Sequence, residues 1–118
     1  NVDGNGTYPT GGTGLFEVTA RAGDMGRFRA PSLRNVTVTA PYMHDGSIAT
    51  LRDVIAHYAV GGRSKRQTGQ PSPLQSDLVR GFTLSAQETD DLLAFLSALT
   101  DDEFLTRPSL SNPFEAGP

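Results

Sequence analysis

The chain has 118 residues, of which 36% are hydrophobic, and it contains 13 glycines, 8 prolines and no cysteine. This length suits one domain with a modest core, and the absence of cysteine excludes disulfides and thiolate metal sites within this polypeptide. Ten basic and thirteen acidic residues are scattered along the sequence, which therefore has no basic stripe for binding nucleic acid.

The apolar runs are too short for a membrane-spanning helix. The first residues also lack the charged and apolar regions of a signal peptide. The chain begins at Asn1 rather than at a methionine. We therefore expect it to be a processed product or a piece of a longer protein.

The first half of the chain predicts little regular structure. Residues 1–25 indicate an extended arm, because they are rich in Gly, Asn, Asp and Pro. Within that arm, 14–21 ("GLFEVTAR") predicts a short strand or an apolar plug. Residues 26–49 predict a long irregular loop that wraps over another part of the protein. The β-branched residues at 36–38 indicate a short extended piece in this loop.

A first helix is predicted over residues 50–60. Thr50 is a suitable N-cap, and Asp53 places negative charge at the positive end of the helix dipole. The apolar residues then fall at helical spacing on one face, which consists of Leu51, Val54, Ile55 and Tyr58. The adjacent glycines at 61–62 end the helix.

The second half predicts a polar loop over residues 63–82, a terminal helix over 85–100 and a tail over 101–118. Ser85 and Glu88 form a capping box at the start of the terminal helix. One face of this helix is apolar and contains Leu92, Phe95, Leu96 and Leu99. The predicted fold is therefore mainly α with long irregular loops and a thin core.

Four side chains that can bind iron are concentrated in residues 39–63: Met43, His44, His57 and Tyr58. From the residues alone, Tyr58 is more simply a packed tyrosine whose hydroxyl bonds a carbonyl or water. Its alternative is phenolate ligation of ferric haem iron. His57 lies about 100° further around the helix and is expected at the surface.

The other candidates also have two interpretations. His44 precedes Asp45 in a turn, and the carboxylate could orient its imidazole. Met43 and Met25 are possible thioether ligands but more often fill gaps in a core. No nucleophile elbow or phosphate-binding loop is present, so hydrolase and nucleotide-binding functions have no support.

Two segments of the chain resemble a known family. They are "GRFRAPSLRNVTVTAPYMHDGSIATLRDVIAHYAVGG" (26–62) and "LSAQETDDLLAFLSALTD" (84–101). Together they resemble the C-terminal part of the bacterial di-haem cytochrome c peroxidases and their MauG-like relatives. The resemblance implies an incomplete cytochrome c-like domain, from a family in which two such domains each carry a covalent haem.

The same resemblance implies roles for individual residues. Tyr58 matches the distal ligand of the C-terminal haem, a position at which the classical peroxidases carry Met and the MauG-like branch carries Tyr. Thr39 and Pro41 match an element that binds calcium partly through main-chain carbonyls. We further expect Arg29 and Arg34 to neutralise haem propionates, and His44 to tie its loop to the haem edge. No catalytic residue is assigned.

Both C-x-x-C-H attachment sites of the family are absent from this sequence. The resemblance therefore implies roughly the last third of a periplasmic enzyme, which alone binds no haem covalently and has little peroxidase activity. Its expected partners are the missing N-terminal di-haem part and a redox protein or protein substrate, and a homo-oligomer is possible. Nucleic acid is not an expected partner.

Two alternatives remain open from the sequence. The first is an electron-transfer cytochrome module in which Tyr58 ligates haem without peroxide chemistry. The second is a haem-free structural or protein-binding domain, in which Tyr58 and the leucine face are ordinary core residues.

Overall fold

The fold was analysed in a computed structural model, which describes residues 12–72 and 74–111. This part of the chain is mainly helical and contains no strand, which confirms the predicted mainly α class. No helix in it is long and apolar enough to cross a membrane. The α-helices are α1 (Phe16–Thr19), α2 (Leu51–Ala59), α3 (Arg63–Thr68), α4 (Ala86–Ser97) and α5 (Asp102–Thr106), and 3-10 turns occur at Ala22–Asp24, Val36–Val38 and Pro108–Leu110.

The predicted N-terminal arm is only partly described, since residues 1–11 lie outside the described residues. The segment predicted as a strand or plug instead contains the single turn of α1. An isolated bridge between Gly14 and Arg27 holds its start, where the Leu15 N–H donates to the Arg27 carbonyl at 2.9 Å. The Glu17 carboxylate accepts from the Thr13 N–H at 2.8 Å. These contacts close a local loop. Alternation of apolar residues does not predict them, so the sequence pattern does not indicate this helical turn.

The predicted extended piece at 36–38 is also corrected, because this segment forms a 3-10 turn. Asn35 precedes it in the left-handed region with a φ of 60°. This buried residue donates its N–H to the Leu99 carbonyl at 3.0 Å and accepts from the Asp101 N–H at 2.6 Å. The loop before α2 is thus anchored to the end of α4, and this contact overrides the β propensity of the two valines.

Helix α2 begins as the sequence predicts. The Thr50 hydroxyl oxygen accepts from the Asp53 N–H at 3.1 Å, and this satisfies one of the free donors of the first turn. Ile55 on the apolar face is 7% exposed. At the other end, the N–H groups of Gly61 and Gly62 donate back to the last turn and end the helix.

Helix α4 has the predicted capping box, in which Ser85 and Glu88 bond each other's backbone N–H groups. Hydrogen bonds from the Ser85 backbone and hydroxyl lower the pKa of the Glu88 carboxyl below its ordinary value. The apolar face of α4 is buried only in part, with Leu96 at 9% exposed and Phe95 at 56%. Helix α4 packs against α2 and the 36–38 turn, so the core of the described chain is thin.

The prediction of a loop over residues 63–82 is wrong in part, because this segment contains helix α3. Its sequence, RSKRQT, has no apolar periodicity, which explains why the pattern does not predict a helix. Side-chain bonds hold it instead, since the buried Ser64 donates to the Gln70 carbonyl at 3.0 Å and Thr68 donates to the Ser64 carbonyl at 2.9 Å. The Phe82 N–H returns to the Ala59 carbonyl at 3.0 Å. This return folds the segment against the end of α2.

Candidate haem-ligand site

Tyr58 lies on the last turn of α2 and lines a cavity of about 180 Å³. Met43, His44 and His57 line the same cavity. The four side chains singled out as possible iron ligands therefore meet at one place, although they come from two separate elements. Tyr58 is 41% exposed, which differs from the packed core tyrosine that is the simpler interpretation of its helical position.

The turn before α2 presents Met43 and His44 to this cavity. Tyr42 and Ile48 close the turn through two backbone hydrogen bonds of 2.7 and 3.3 Å. At its tip, the Asp45 carboxylate accepts from the Ser47 N–H at 3.1 Å. Because the closed turn stands beside α2, side chains about fifteen positions apart share one wall.

The hydroxyl groups of two tyrosines near the cavity have different surroundings. Tyr42 donates to the Val36 carbonyl at 3.0 Å, as a structural tyrosine normally does. Tyr58 makes no side-chain hydrogen bond within residues 12–72 and 74–111. Its backbone carbonyl accepts a hydrogen bond from the Gly61 N–H at the end of α2. Its phenol oxygen is therefore available to a group outside the described chain.

His44 is positioned by stacking. Its ring lies against Phe28 with 4.1 Å between centroids and 22° between planes. The expected orientation by the neighbouring carboxylate is not seen among the described residues, since Asp45 bonds Ser47 instead. Burial acts to raise the pKa of Asp45, but the Ser47 hydrogen bonds and the charge of His44 outweigh it and lower the pKa below its ordinary value.

His57 is not the surface residue that its position on the helix predicts. It is partly buried, lines the cavity and meets Tyr58 edge to face with 5.2 Å between ring centroids. Desolvation, and then the positive charges of Arg63 and Arg66, lower the pKa of His57 below 6.5. This shift favours the neutral imidazole, in which one ring nitrogen carries a proton and the other can accept a hydrogen bond or bind a metal.

A second cavity, of about 400 Å³, adjoins the first and shares Ser47, His57 and Arg63 with it. Arg66 completes its basic side. The sequence predicts no role for these two arginines, because they fall in the segment expected to be a surface loop. The available signal was the basic run RSKR directly after the glycines that end α2.

The arginines expected to neutralise propionates lie elsewhere. Arg34 lines a shallow depression with Leu99, Thr100 and Asp101 at the end of α4. Arg29 is exposed and lines neither cavity beside Tyr58. Met25 also lies outside the Tyr58 cavity. The structure therefore does not bring Arg29 or Arg34 together with Tyr58.

The expected calcium element lies between the 36–38 turn and the turn that carries His44. The Thr39 hydroxyl donates to the Val36 carbonyl at 3.1 Å, and the Ala40–Pro41 peptide is cis. No group in the described chain donates a hydrogen bond to the carbonyl oxygen of Thr39 or Pro41. These two oxygens are therefore free to bind a hard cation. The described residues hold no cluster of three acidic or histidine side chains for a metal.

The donor chemistry of the Tyr58 cavity fits haem iron, because phenolate, imidazole and thioether are all known axial ligands. Its size does not enclose such a cofactor, since about 180 Å³ is below the roughly 300–1,000 Å³ of usual small-molecule sites. A group of that size would therefore need further walls from another part of a protein.

Comparisons with known proteins find relatives that are much longer than this chain. Cytochrome-c peroxidase IdrP1 of Pseudomonas sp. (strain SCT) is 40% identical over 105 residues, which cover 89% of this chain and 26% of the relative. The methylamine utilization protein MauG of Methylophilus methylotrophus is 43% identical over 72 residues, covering 61% of this chain and 19% of MauG. No family model matches the chain.

A solved structure is similar over nearly the whole chain. It is the crystal structure of a MauG-like protein associated with microbial copper homeostasis, with a TM-score of 0.80 and 49% sequence identity. The match covers 92% of this chain and 35% of that protein. The chain spans only about a fifth to a quarter of the length of the curated relatives it matches. It belongs to the bacterial di-haem cytochrome-c peroxidase and MauG-like family, of which it corresponds to a C-terminal part.

Proposed function

We propose that this chain is the C-terminal part of a di-haem c-type peroxidase, an incomplete cytochrome c-like domain that supplies Tyr58 as the distal ligand of the C-terminal haem. The whole enzyme, called the parent protein below, reduces hydrogen peroxide or oxidises a protein as MauG-like enzymes do. The observation that carries the proposal is that the Tyr58 hydroxyl has no hydrogen-bond partner among the described residues, while its side chain lines a cavity shared with Met43, His44 and His57. A bound haem supplies electron-transfer chemistry with peroxide.

Each side chain of the cavity has a distinct part in this proposal. Tyr58 would hold the haem iron through its phenol oxygen, since a phenolate oxygen is a hard ligand suited to oxidised iron. His44, which is held by its stack on Phe28, would contact the edge of the haem. Met43 lines the same cavity and provides polarisable packing.

The remaining parts of the site lie outside this chain. The haem groups are attached through the missing N-terminal part, because c-type attachment requires cysteines and the chain has none. The main-chain carbonyls of Thr39 and Pro41 would hold a calcium ion together with further ligands from that part. We place the parent protein in the periplasm, with a redox protein or a protein substrate as its partner.

The ligand assignment is tested by Tyr58→Phe in the parent protein. Phenylalanine keeps the ring and its packing but removes the oxygen that binds iron. We expect the absorption and electron paramagnetic resonance spectra of one haem to change while the other haem keeps its spectrum. An unchanged pair of spectra would show that Tyr58 is not a ligand.

Tyr42→Phe is the matched control, because it removes the hydroxyl that bonds the Val36 carbonyl. It should leave both haem spectra as in the wild type and cost only about 1 kcal/mol of stability. Peroxide consumption by the reduced parent protein then separates a peroxidase from an electron-transfer module, which would not consume peroxide.

A further inference from the structure

The basic cavity beside the Tyr58 site has no part in the function proposed above. It measures about 400 Å³ and lies between the turn before α2, the outer side of α2 and α3. Ser47, His57 and Arg63 line both this cavity and the Tyr58 cavity, so the two spaces adjoin. A ligand that occupies one of them can therefore reach the side chains of the other.

The arginines of the basic cavity are arranged to act together. Arg63 and Arg66 are three positions apart on α3, which places them on the same face of the helix. The Arg63 Nη2 donates to the Ser47 hydroxyl at 2.8 Å and so spans the cavity from α3 to the opposite turn. This contact orients one guanidinium before any ligand binds.

The charge of Arg66 is not neutralised by an ion pair within residues 12–72 and 74–111. Elsewhere in this part of the chain, Arg27, Arg52 and Arg107 each lie within 4.0 Å of a carboxylate. The acidic side chain lining the cavity is Asp53, which accepts from the Thr50 hydroxyl at 2.6 Å as part of the α2 cap. Arg66 thus lines this cavity beside Arg63, and the acidic side chain that lines it among the described residues is already engaged in a cap.

We propose that Arg63 and Arg66 form a binding site for a carboxylate ligand. Guanidinium groups bind carboxylates through paired N–H donors, and two of them can bind two carboxylates or clamp one. Two sources supply this chemistry. One source is the pair of propionates of a haem bound through Tyr58, and this alternative rests on the proposed function. The other source is a free small dicarboxylate.

The site is tested in the haem-loaded parent protein with the double variant Arg63→Gln/Arg66→Gln and the single variant Arg66→Gln. Arg34→Gln is the matched control, because Arg34 lies in the depression at the end of α4. The two readouts are the midpoint potential of each haem and the binding of ¹³C-labelled succinate followed by saturation-transfer NMR.

If the arginines bind propionates, the double variant lowers the midpoint potential of one haem, because loss of nearby positive charge favours the more positive ferric form. Arg66→Gln gives a smaller shift, Arg34→Gln gives none, and succinate does not bind. If they bind a free carboxylate, wild-type protein binds succinate, the double variant does not, and the potentials stay constant. Unchanged potentials without succinate binding would overturn the site.

The double variant Arg63→Lys/Arg66→Lys distinguishes loss of charge from structural damage. If positive charge is what matters, its midpoint potential or its succinate binding is much closer to the wild-type value than that of the double glutamine variant. The Tyr58→Phe spectrum is recorded in parallel. A failed Tyr58 assignment with a positive succinate result would reject the proposed function while retaining the carboxylate site. A confirmed Tyr58 ligand with no arginine effect would reject the carboxylate site alone.

Discussion

Single residues of the same type have different roles in this chain because their partners differ. Tyr42 and Tyr58 are both at least partly accessible to solvent, yet the Tyr42 hydroxyl bonds a backbone carbonyl and the Tyr58 hydroxyl has no partner in the described chain. Burying an unbonded hydroxyl costs about 1–3 kcal/mol. The Tyr58 phenol avoids this cost by remaining partly exposed, which is compatible with its proposed role as a haem ligand.

The proposed binding of calcium by the carbonyl oxygens of Thr39 and Pro41 can be tested by removing the ion. We expect removal of calcium from the parent protein by a chelator to lower its thermal unfolding midpoint, because ligand binding to the folded state stabilises that state. Added Ca²⁺ should restore the midpoint. Mg²⁺ should restore less, since it binds poorly to flexible main-chain sites. Differential scanning calorimetry measures these shifts.

Thr39→Val is the control for main-chain ligation. It removes the hydroxyl that donates to Val36 but keeps the carbonyl. Calcium affinity should therefore stay within about twofold of wild type in calorimetric titration. A large loss of affinity would show side-chain ligation, and indifference of the parent protein to the chelator would remove calcium from the proposal.

At the scale of elements, the two longer helices depend on their N-caps. Ser85→Ala should destabilise α4 by about 1 kcal/mol, because it leaves the Glu88 N–H without its acceptor and breaks the capping box. Thr50→Ala should act similarly on α2. Hydrogen exchange of the first-turn amides in each helix measures the effect, and each variant serves as the local control for the other. Equal exchange in wild type and variant would show that the caps contribute little.

The accuracy of the sequence analysis also varies from element to element. Helices α2 and α4 are predicted correctly because their caps and apolar spacing lie within the elements themselves. Helix α3 and the 36–38 turn are not, because contacts with distant residues hold them. Asn35, for instance, bonds residues more than sixty positions away. Met43, His44, His57 and Tyr58 are found as candidates because their side-chain types alone indicate possible iron ligands. The arginines of α3 are missed because only the folded structure places them beside the cavity.

The exposed ion pair between α2 and α4 contributes little to the stability of their packing. Arg52 on α2 meets Asp90 on α4 at 2.5 Å, but both side chains are more than half exposed. Such pairs contribute at most about 1 kcal/mol. The packing of α2 on α4 therefore depends mainly on buried apolar groups such as Ile55 and Leu96.

For the whole molecule, the small core and the exposed apolar side chains indicate an unfilled interface. Phe95 lies on the apolar face of α4 and is 56% exposed, while Leu96 beside it is buried. In the parent protein we expect the N-terminal part to cover Phe95. Phe95→Ser should then destabilise the parent protein by about 2 kcal/mol and have almost no effect on the isolated chain.

Leu96→Ala separates this effect from general damage to α4. Its side chain is buried within the described chain, so it should cost about 2–5 kcal/mol in the parent protein and reduce the helicity of the isolated chain as well. Guanidinium unfolding of the parent protein and circular dichroism of the isolated chain provide the two measurements. If Phe95→Ser has the same small effect in both, α4 remains open to solvent in the parent protein, and the missing part must dock on another face.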